Sequence, residues 1–293
     1  VELARPRFEF AEAVFGSRRG RVSKARCAGV WAAGSLVGLG RQTVAVVGAR
    51  APSDAARARA QVLGEVLARA GVCVISGLAL GIDGAAHLGA LAGGTPTIGV
   101  LGGGHRRFFP RRNRDLAAEI VAAGGAVLSP FAPDEPARPG QFLQRNGLVA
   151  ALADAVVVVE AAERSGALNT AGWAADLGVE VLAYPGDVDR PKAAGCNALI
   201  RDGATLVRGP DDVLEAIGFA RGPGATRADS SRGRVAYSPV EQLILEWLAS
   251  GPNAFDAVAA AIAAPVGEIS AALVTLEMAG AIRRENGTTY ALA

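Results

Sequence analysis

The chain has 293 residues, 51% hydrophobic and 20% charged, with a net charge of +2. Its longest apolar stretch, 149–162, is broken by Asp154 and Glu160, short of the about 18 unbroken apolar residues of a membrane span, and no signal-peptide pattern opens the sequence. Cys27, Cys73 and Cys196 are odd in number and form no C-x-x-C pair, which argues against a disulfide framework or a structural zinc and for the cytoplasm.

The length suits one large domain or two smaller ones, with enough apolar surface to fold without staples. The chain opens on Val1 rather than methionine, which leaves its natural start open. Charge is unevenly spread: residues 1–43 carry +5, 44–218 carry −2, 219–237 carry +3 and 238–293 carry −4. Of the basic side chains, 28 are arginine and two are lysine, a bias that a GC-rich genome alone would produce.

The first 43 residues are basic and irregular, and no fold is assigned to them. From Thr43, β-branched runs alternate with helical patterns. Strands are expected at 43–48, 72–76, 97–101, 126–129, 155–160 and 180–184. Helices are expected at 53–70, capped by Ser53 or Asp54 and stopped by Gly71, and at about 83–91. Continuous apolar strands between helices mean a mostly parallel sheet covered on both faces, a doubly wound Rossmann-like α/β domain over 44–218. Its crevice lies at the carboxyl ends of the strands. Residues 219–237 read as a linker. Helices at 238–249, 255–262 and 266–279, with a hairpin at 281–292 turning on Asn286-Gly287, make a small winged-helix domain over 238–293.

The usual nucleotide motifs fail. No lysine follows a glycine-rich turn, since Lys24 follows Ser23 and Lys192 follows Pro191, and Gly48-Ala49-Arg50 after the first strand is not G-x-G-x-x-G. ATP hydrolysis and dinucleotide redox chemistry are excluded on that ground, and no cofactor is implied. Four loops converge on the carboxyl edge instead: Gly48-Ala49-Arg50, a segment opening with Ser76 and Gly77, the 102–114 loop, and 160–166 with Arg164, Ser165 and Gly166. The third holds Gly102, Gly104, Arg106, Arg107, Arg111 and Arg112, and carries five positive charges in thirteen residues without an acid. Glycine turns and helix N-termini suit anions, and arginine beside phenylalanine suits a phosphate chain with stacking bases. Asp83 and His87 lie four apart, as an acid–base pair would, but the plainer assignment is Asp83 as a helix N-cap and His87 as a packed, hydrogen-bonded side chain. Asp187 and Asp189 read as turn residues rather than metal ligands.

In this order, VAVVGAR, SGLALGIDGAAH, TIGVLGGG with FFPRRN, FLQRNGL and VVVVEAAERSGALNTA resemble the DNA-processing protein A (DprA/Smf) family, from about Gly34 to the C-terminus. The resemblance implies a Rossmann-like domain that binds single-stranded DNA and helps load RecA recombinase in natural transformation, a homodimer, and no catalytic turnover. It places the family's functional arginine on Arg50, its F-x-x-R-N-R segment on Phe142, Arg145 and Asn146, and its [KR]-S-G turn on Arg164, Ser165 and Gly166. Gly147 departs from the second arginine of that segment, and His105-Arg106-Arg107 replaces a more acidic loop, as if to compensate. Ser129-Pro130-Phe131 stands where the family has S-E-x-P, and the amino-terminal helical module of longer members is largely absent. The alternative is a phosphoribohydrolase of the lysine-decarboxylase-like group, but Trp173 stands where its P-G-G-x-G-T-x-x-E motif needs a catalytic glutamate. The third helix of the small domain, with Glu268, Glu277 and no basic residue, is poorly suited to reading DNA and fits a protein-contact role.

Overall fold

The computed structural model describes residues 5–219, 238–248, 251, 253–262, 264–278, 282–285 and 289–292. It divides into two compact units, Val1–Ala225 and Thr226–Ala293. Apart from Phe219, the expected linker lies outside the described residues, as does the Asn286-Gly287 turn.

The first unit is built on a nine-stranded sheet. Seven strands run parallel: β3 (Thr43–Val47), β4 (Cys73–Ser76), β5 (Ile98–Val100), β6 (Ala126–Ser129), β7 (Ala155–Val158), β8 (Glu180–Ala183) and β9 (Thr205–Leu206). The segment left without a predicted fold supplies the other two, β1 (Arg7–Phe10) and β2 (Gly29–Gly34), which pair antiparallel with each other, β2 also pairing antiparallel with β6. The order is β1-β2-β6-β5-β4-β3-β7-β8-β9.

Apolar runs form these strands because both faces are buried. Ala45 and Val47 of β3 and Val156 and Val158 of β7 face one core; Val44, Val46, Ala155 and Val157 face the other. Helices α3 (Asp54–Arg69) and α4 (Ile82–Gly93) pack into the second core. Helices α6 (Pro139–Leu152) and α7 (Gly166–Asp176) pack into the first. Phe15 of α1 (Ala11–Phe15) and Val22 of α2 (Arg19–Lys24) join that first core. Helix α5 (Arg114–Ala122) covers a smaller cluster with Leu78 and Leu101. Cys196 of α8 (Ala194–Arg201) joins the first core and Val213 of α9 (Pro210–Ala216) the second. Strands β4, β5 and β6 lie on one side of β3, whereas β7, β8 and β9 lie on the other. Connections therefore leave in opposite directions at β3 and β7, and the crevice opens between their carboxyl ends.

A buried arginine ties the amino-terminal segment to the opposite edge. Arg18, 8% exposed, donates to the carbonyls of Leu39 and Arg41 and to Asp154 Oδ2 at 2.8 Å. The same carboxylate oxygen accepts from the Thr43 backbone N–H at 3.0 Å. Burial alone would raise the Asp154 pKa, but the Arg18 and Thr43 hydrogen bonds and the Arg18 charge together hold it below the ordinary carboxylate range.

The second unit holds α10 (Pro239–Leu248), α11 (Phe255–Ala261) and α12 (Val266–Met278) beside a three-stranded antiparallel sheet of β10 (Asn253–Ala254), β12 (Thr289–Leu292) and β11 (Ile282–Glu285). Its own core includes Ile244, Leu248, Val258, Leu273, Leu276 and Tyr290. This is a winged helix. Arg284, on β11, donates to Tyr290 Oη at 2.9 Å and pairs with Glu277 at 3.2 Å.

Removing Asp154 leaves Arg18 buried with its charge uncompensated. Asp154→Ala is expected to lower unfolding stability by about 3 kcal/mol at neutral pH. A carboxylate whose folded pKa is depressed contributes stability above its unfolded pKa of roughly 3.9 and loses it as pH falls through the folded value. Urea unfolding at pH 7 and at pH 3 should therefore show the gap between variant and parent shrinking in acid; a gap that stays constant would exclude the ion pair as its cause.

Candidate nucleic-acid interface

At the β3/β7 switch point lies a cleft of about 500 Å³. Its floor is the exit of β3, where Ala49 N–H donates to the Glu160 carbonyl at 2.8 Å and so joins the ends of β3 and β7. One wall is the Gly77–Asp83 loop, another the first turns of α6, and the third the N-terminus of α7.

The first wall is organised by a buried charge pair. Asp83 accepts from the backbone N–H groups of Gly77 at 3.1 Å and Ala79 at 3.3 Å. Arg145, 3% exposed, donates through Nη1 to the Gly77 and Val100 carbonyls. A Cβ on Gly77 would stand 2.6 Å from the Arg145 guanidinium and 2.7 Å from Asp83 Oδ2, so only glycine lets this pair close. Burial pushes the Asp83 carboxyl up and the Arg145 guanidinium down to about 10, each opposed by the other's charge. Leu78, with φ +54°, is held in a conformation side chains rarely adopt. Its carbonyl and that of Ala79 accept from Asn113 Nδ2 at 3.0 and 2.9 Å, tying this loop to the arginine-rich one.

Asp83 is therefore not the N-cap of α4, which is Gly81; it sits inside the first turn and holds the preceding loop. His87 is buried, with Nδ1 2.9 Å from Thr97 Oγ1. Burial, helped by the Arg145 charge, lowers its pKa to about 3, so the imidazole is neutral. No acid–base couple exists here. Asp187 Oδ1 accepts from the Asp189 N–H at 3.1 Å, the turn chemistry expected of it. Among the described residues, no cluster of three or more His, Cys, Asp or Glu side chains could hold a metal ion.

Phe142 lies one helical turn before Arg145 on α6, half-buried, its ring against Gly102: a Cβ there would stand 2.5 Å from Phe142 Cδ1. Exposed Arg50 places its guanidinium 5.4 Å from the ring centroid. Phe109, 54% exposed, meets the same ring edge-on at 5.9 Å. Asn146 donates to the Gly166 carbonyl and to Asn169 Oδ1, both at 3.2 Å, linking α6 to α7. Ser165 caps α7 by accepting from Ala167 N–H. Lys192 closes the cleft's far side, its Nζ donating to the Ala51 carbonyl at 2.7 Å.

Several expected anion contacts are used within the protein. Ser76 is fully buried and donates to the Val46 carbonyl. The Gly77 N–H is taken by Asp83 and the Gly104 N–H by the Glu135 carbonyl. Gly102 is covered by Phe142. These glycines allow close packing instead of forming an anion nest. Arg106 pairs with Asp134 at 2.8 Å, whereas Arg107, Arg111, Arg112 and Arg164 are exposed and lie outside the cleft lining. Arg145 borders the cleft as a buried strut. Its place was readable: residues 145, 148, 149 and 152 share one helical face, and the last three are apolar. Lys192 was missed as a cleft residue, and Phe109, although it lies in a quoted motif, was missed as the ring that meets Phe142.

Residues 17–218 match the family described as DNA recombination-mediator protein A, and residues 225–288 match the DprA winged helix domain. Protein Smf of Escherichia coli is 39% identical over 254 residues, 84% of this chain and 67% of that protein. The X-ray structure of DNA processing protein A from Streptococcus pneumoniae superposes with a TM-score of 0.67 at 33% identity, covering 73% of this chain and 75% of the other. That of the Helicobacter pylori protein, described by its unique single-stranded DNA binding mode, gives 0.60 at 26% identity, covering 65% and 87%. The chain belongs to the DNA recombination-mediator protein A (DprA/Smf) family.

Proposed function

We propose that this protein binds single-stranded DNA in the switch-point cleft and helps load RecA recombinase in natural transformation or recombination, acting as a cytoplasmic homodimer without catalytic turnover. One observation carries the binding step: an exposed guanidinium, Arg50, stacked on a half-buried phenylalanine at the mouth of a cleft. A phosphate can take the cation while an unpaired base takes the aromatic face, and a duplex hides that face. The binding mode described for the Helicobacter pylori relative supports the ligand, and the family's description as a recombination mediator supports the loading step. The DNA-binding set is then Arg50 and Phe142 at the centre, Asn146, Ser165 and Gly166 on the α7 side, and Arg107, Arg111, Arg112 and Arg164 as outlying cations, with Gly77, Gly102, Gly104, Ser76 and Arg145 shaping the groove and Arg106 held by Asp134.

Salt titrations separate these roles. Arg50→Ala should weaken binding to oligothymidylate and flatten the log–log salt slope by about 0.7, one phosphate. Phe142→Ala should cost about 1–3 kcal/mol with the slope unchanged. Arg145→Ala should act on the fold, lowering stability by about 3–5 kcal/mol because Asp83 is left buried alone. Equal affinity for duplex and single strand would sink the assignment.

The lining of the cleft supports a role without turnover. Its lining carboxylate, Asp83, is buried and engaged, and Trp173 packs over Gly147, where a Cβ would stand 3.1 Å from its ring. The purified protein should release neither phosphate from ATP nor base from nucleoside monophosphates; product beyond stoichiometry, lost on mutating a cleft residue, would overturn this.

The winged helix is proposed as a protein-contact module. Helix α12 carries Glu268 and Glu277, and Arg284 is engaged by the latter. A chain ending at residue 225 should bind single strands as the parent does; a tenfold loss would assign DNA contacts to the second unit.

A further inference from the structure

Beside the cleft lies a second cavity, about 430 Å³, at the carboxyl ends of β7 and β8. Val159, Pro185, Pro191 and Ala193 give it apolar walls, and Arg59, Arg190 and Lys192 give it positive charge. Its single acid, Glu160, already accepts from the Ser53 N–H at 2.9 Å and the Ser53 hydroxyl at 2.6 Å. Cys196 is buried with its thiol pKa pushed up to about 11, so that wall is neutral.

Tyr184 lines the same space. It is 2% exposed, its hydroxyl is buried without a hydrogen-bond partner among the described residues, and the Arg59 guanidinium stands 5.1 Å from its ring centroid. Burial pushes that hydroxyl up to about 12, which keeps it a protonated donor. An unpaired buried donor beside a cationic, apolar-walled cavity favours a ligand with a flat ring and an anionic group. Lys192 lines both cavities, and its bond to the Ala51 carbonyl makes it the divider between them.

We infer that the second cavity is a further nucleotide subsite on the same single strand, its ring against Val159, Pro185 and Pro191 and its phosphate met by Arg59, Arg190 and Lys192. The inference rests on the proposed reading of the first cleft and extends the strand's path from the β3/β7 switch point to β8.

The test uses the full chain, oligothymidylates of increasing length and fluorescence anisotropy at several salt concentrations. Arg59→Ala/Arg190→Ala removes two exposed cations, and its melting temperature should match the parent's. On strands long enough to reach both cavities, the double variant should bind roughly tenfold more weakly with a slope flattened by about 0.7, the single-phosphate increment. On the shortest strand that Arg50→Ala still weakens, it should bind as the parent does. If the double variant matches the parent at every length while Arg50→Ala does not, the second subsite falls and the first cleft stands. If the parent shows no preference for single strands, both fall. Thymidine monophosphate is the remaining arm: its binding, lost in the double variant while strand binding is unchanged, would assign the cavity to a free nucleotide and overturn the shared path.

Discussion

The cleft depends on two buried opposite charges. Asp83 reaches back to two backbone N–H groups of its own loop, and Arg145 reaches from α6 to the carbonyls ending β4 and β5. An isolated charge in that position would be strongly unfavourable, so each holds the other in place. The consequence for the surface follows from helical spacing. Phe142 and Asn146 lie three residues before and one after Arg145, so fixing the arginine fixes the height at which the phenylalanine ring meets Arg50 and the point at which the asparagine meets α7. The part of α6 that faces solvent is positioned by the part that does not.

This arrangement separates two roles that one residue type can play. Arg50 and Arg145 stand 5.4 and 6.0 Å from the same phenylalanine ring centroid, yet one is exposed and the other buried. A guanidinium suits both. The two N–H groups of one guanidinium nitrogen, Nη1 of Arg145, serve two carbonyls at the sheet's exit, and the flat face of Arg50 stacks on an aromatic ring at the surface. Lysine would serve neither as well, because its point charge gives no stacking face and is more strongly hydrated.

Much of this was legible from the chain. The parallel strands declare themselves because a strand buried on both faces must be continuously apolar, and the alternation with helices then fixes the edge at which loops gather. Strand β2 was not legible: Gly-Val-Trp-Ala-Ala-Gly has small residues and two glycines, and its place comes from pairing with β6 across about a hundred residues. The loop glycines were visible, but their reason was not. A glycine can free an N–H for an anion or admit a neighbour's side chain, and only the neighbour decides. At Gly77 and Gly102 the neighbours are Arg145 and Phe142, which the sequence places about 40 to 70 residues away. Arg145 itself carried a readable signal in its shared face with Leu148, Val149 and Leu152.

At position 147, where the family resemblance implies a second arginine, this chain has glycine. Glycine there brings the α6 backbone against the indole of Trp173, and an arginine would have to displace that ring. Apolar packing between α6 and α7 replaces a charge. In the basic loop at 105–107, His105 is buried, its ring bonded to the Val127 carbonyl and its pKa lowered by burial, and Arg106 pairs with Asp134, while Arg107 is exposed. Lys192, on the loop after β8, lines the cleft, whereas exposed Arg107, Arg111 and Arg112 lie outside its lining. On the proposed reading, a strand crossing the switch point would pass from Arg50 to the Lys192 side, because Lys192 lines both neighbouring cavities.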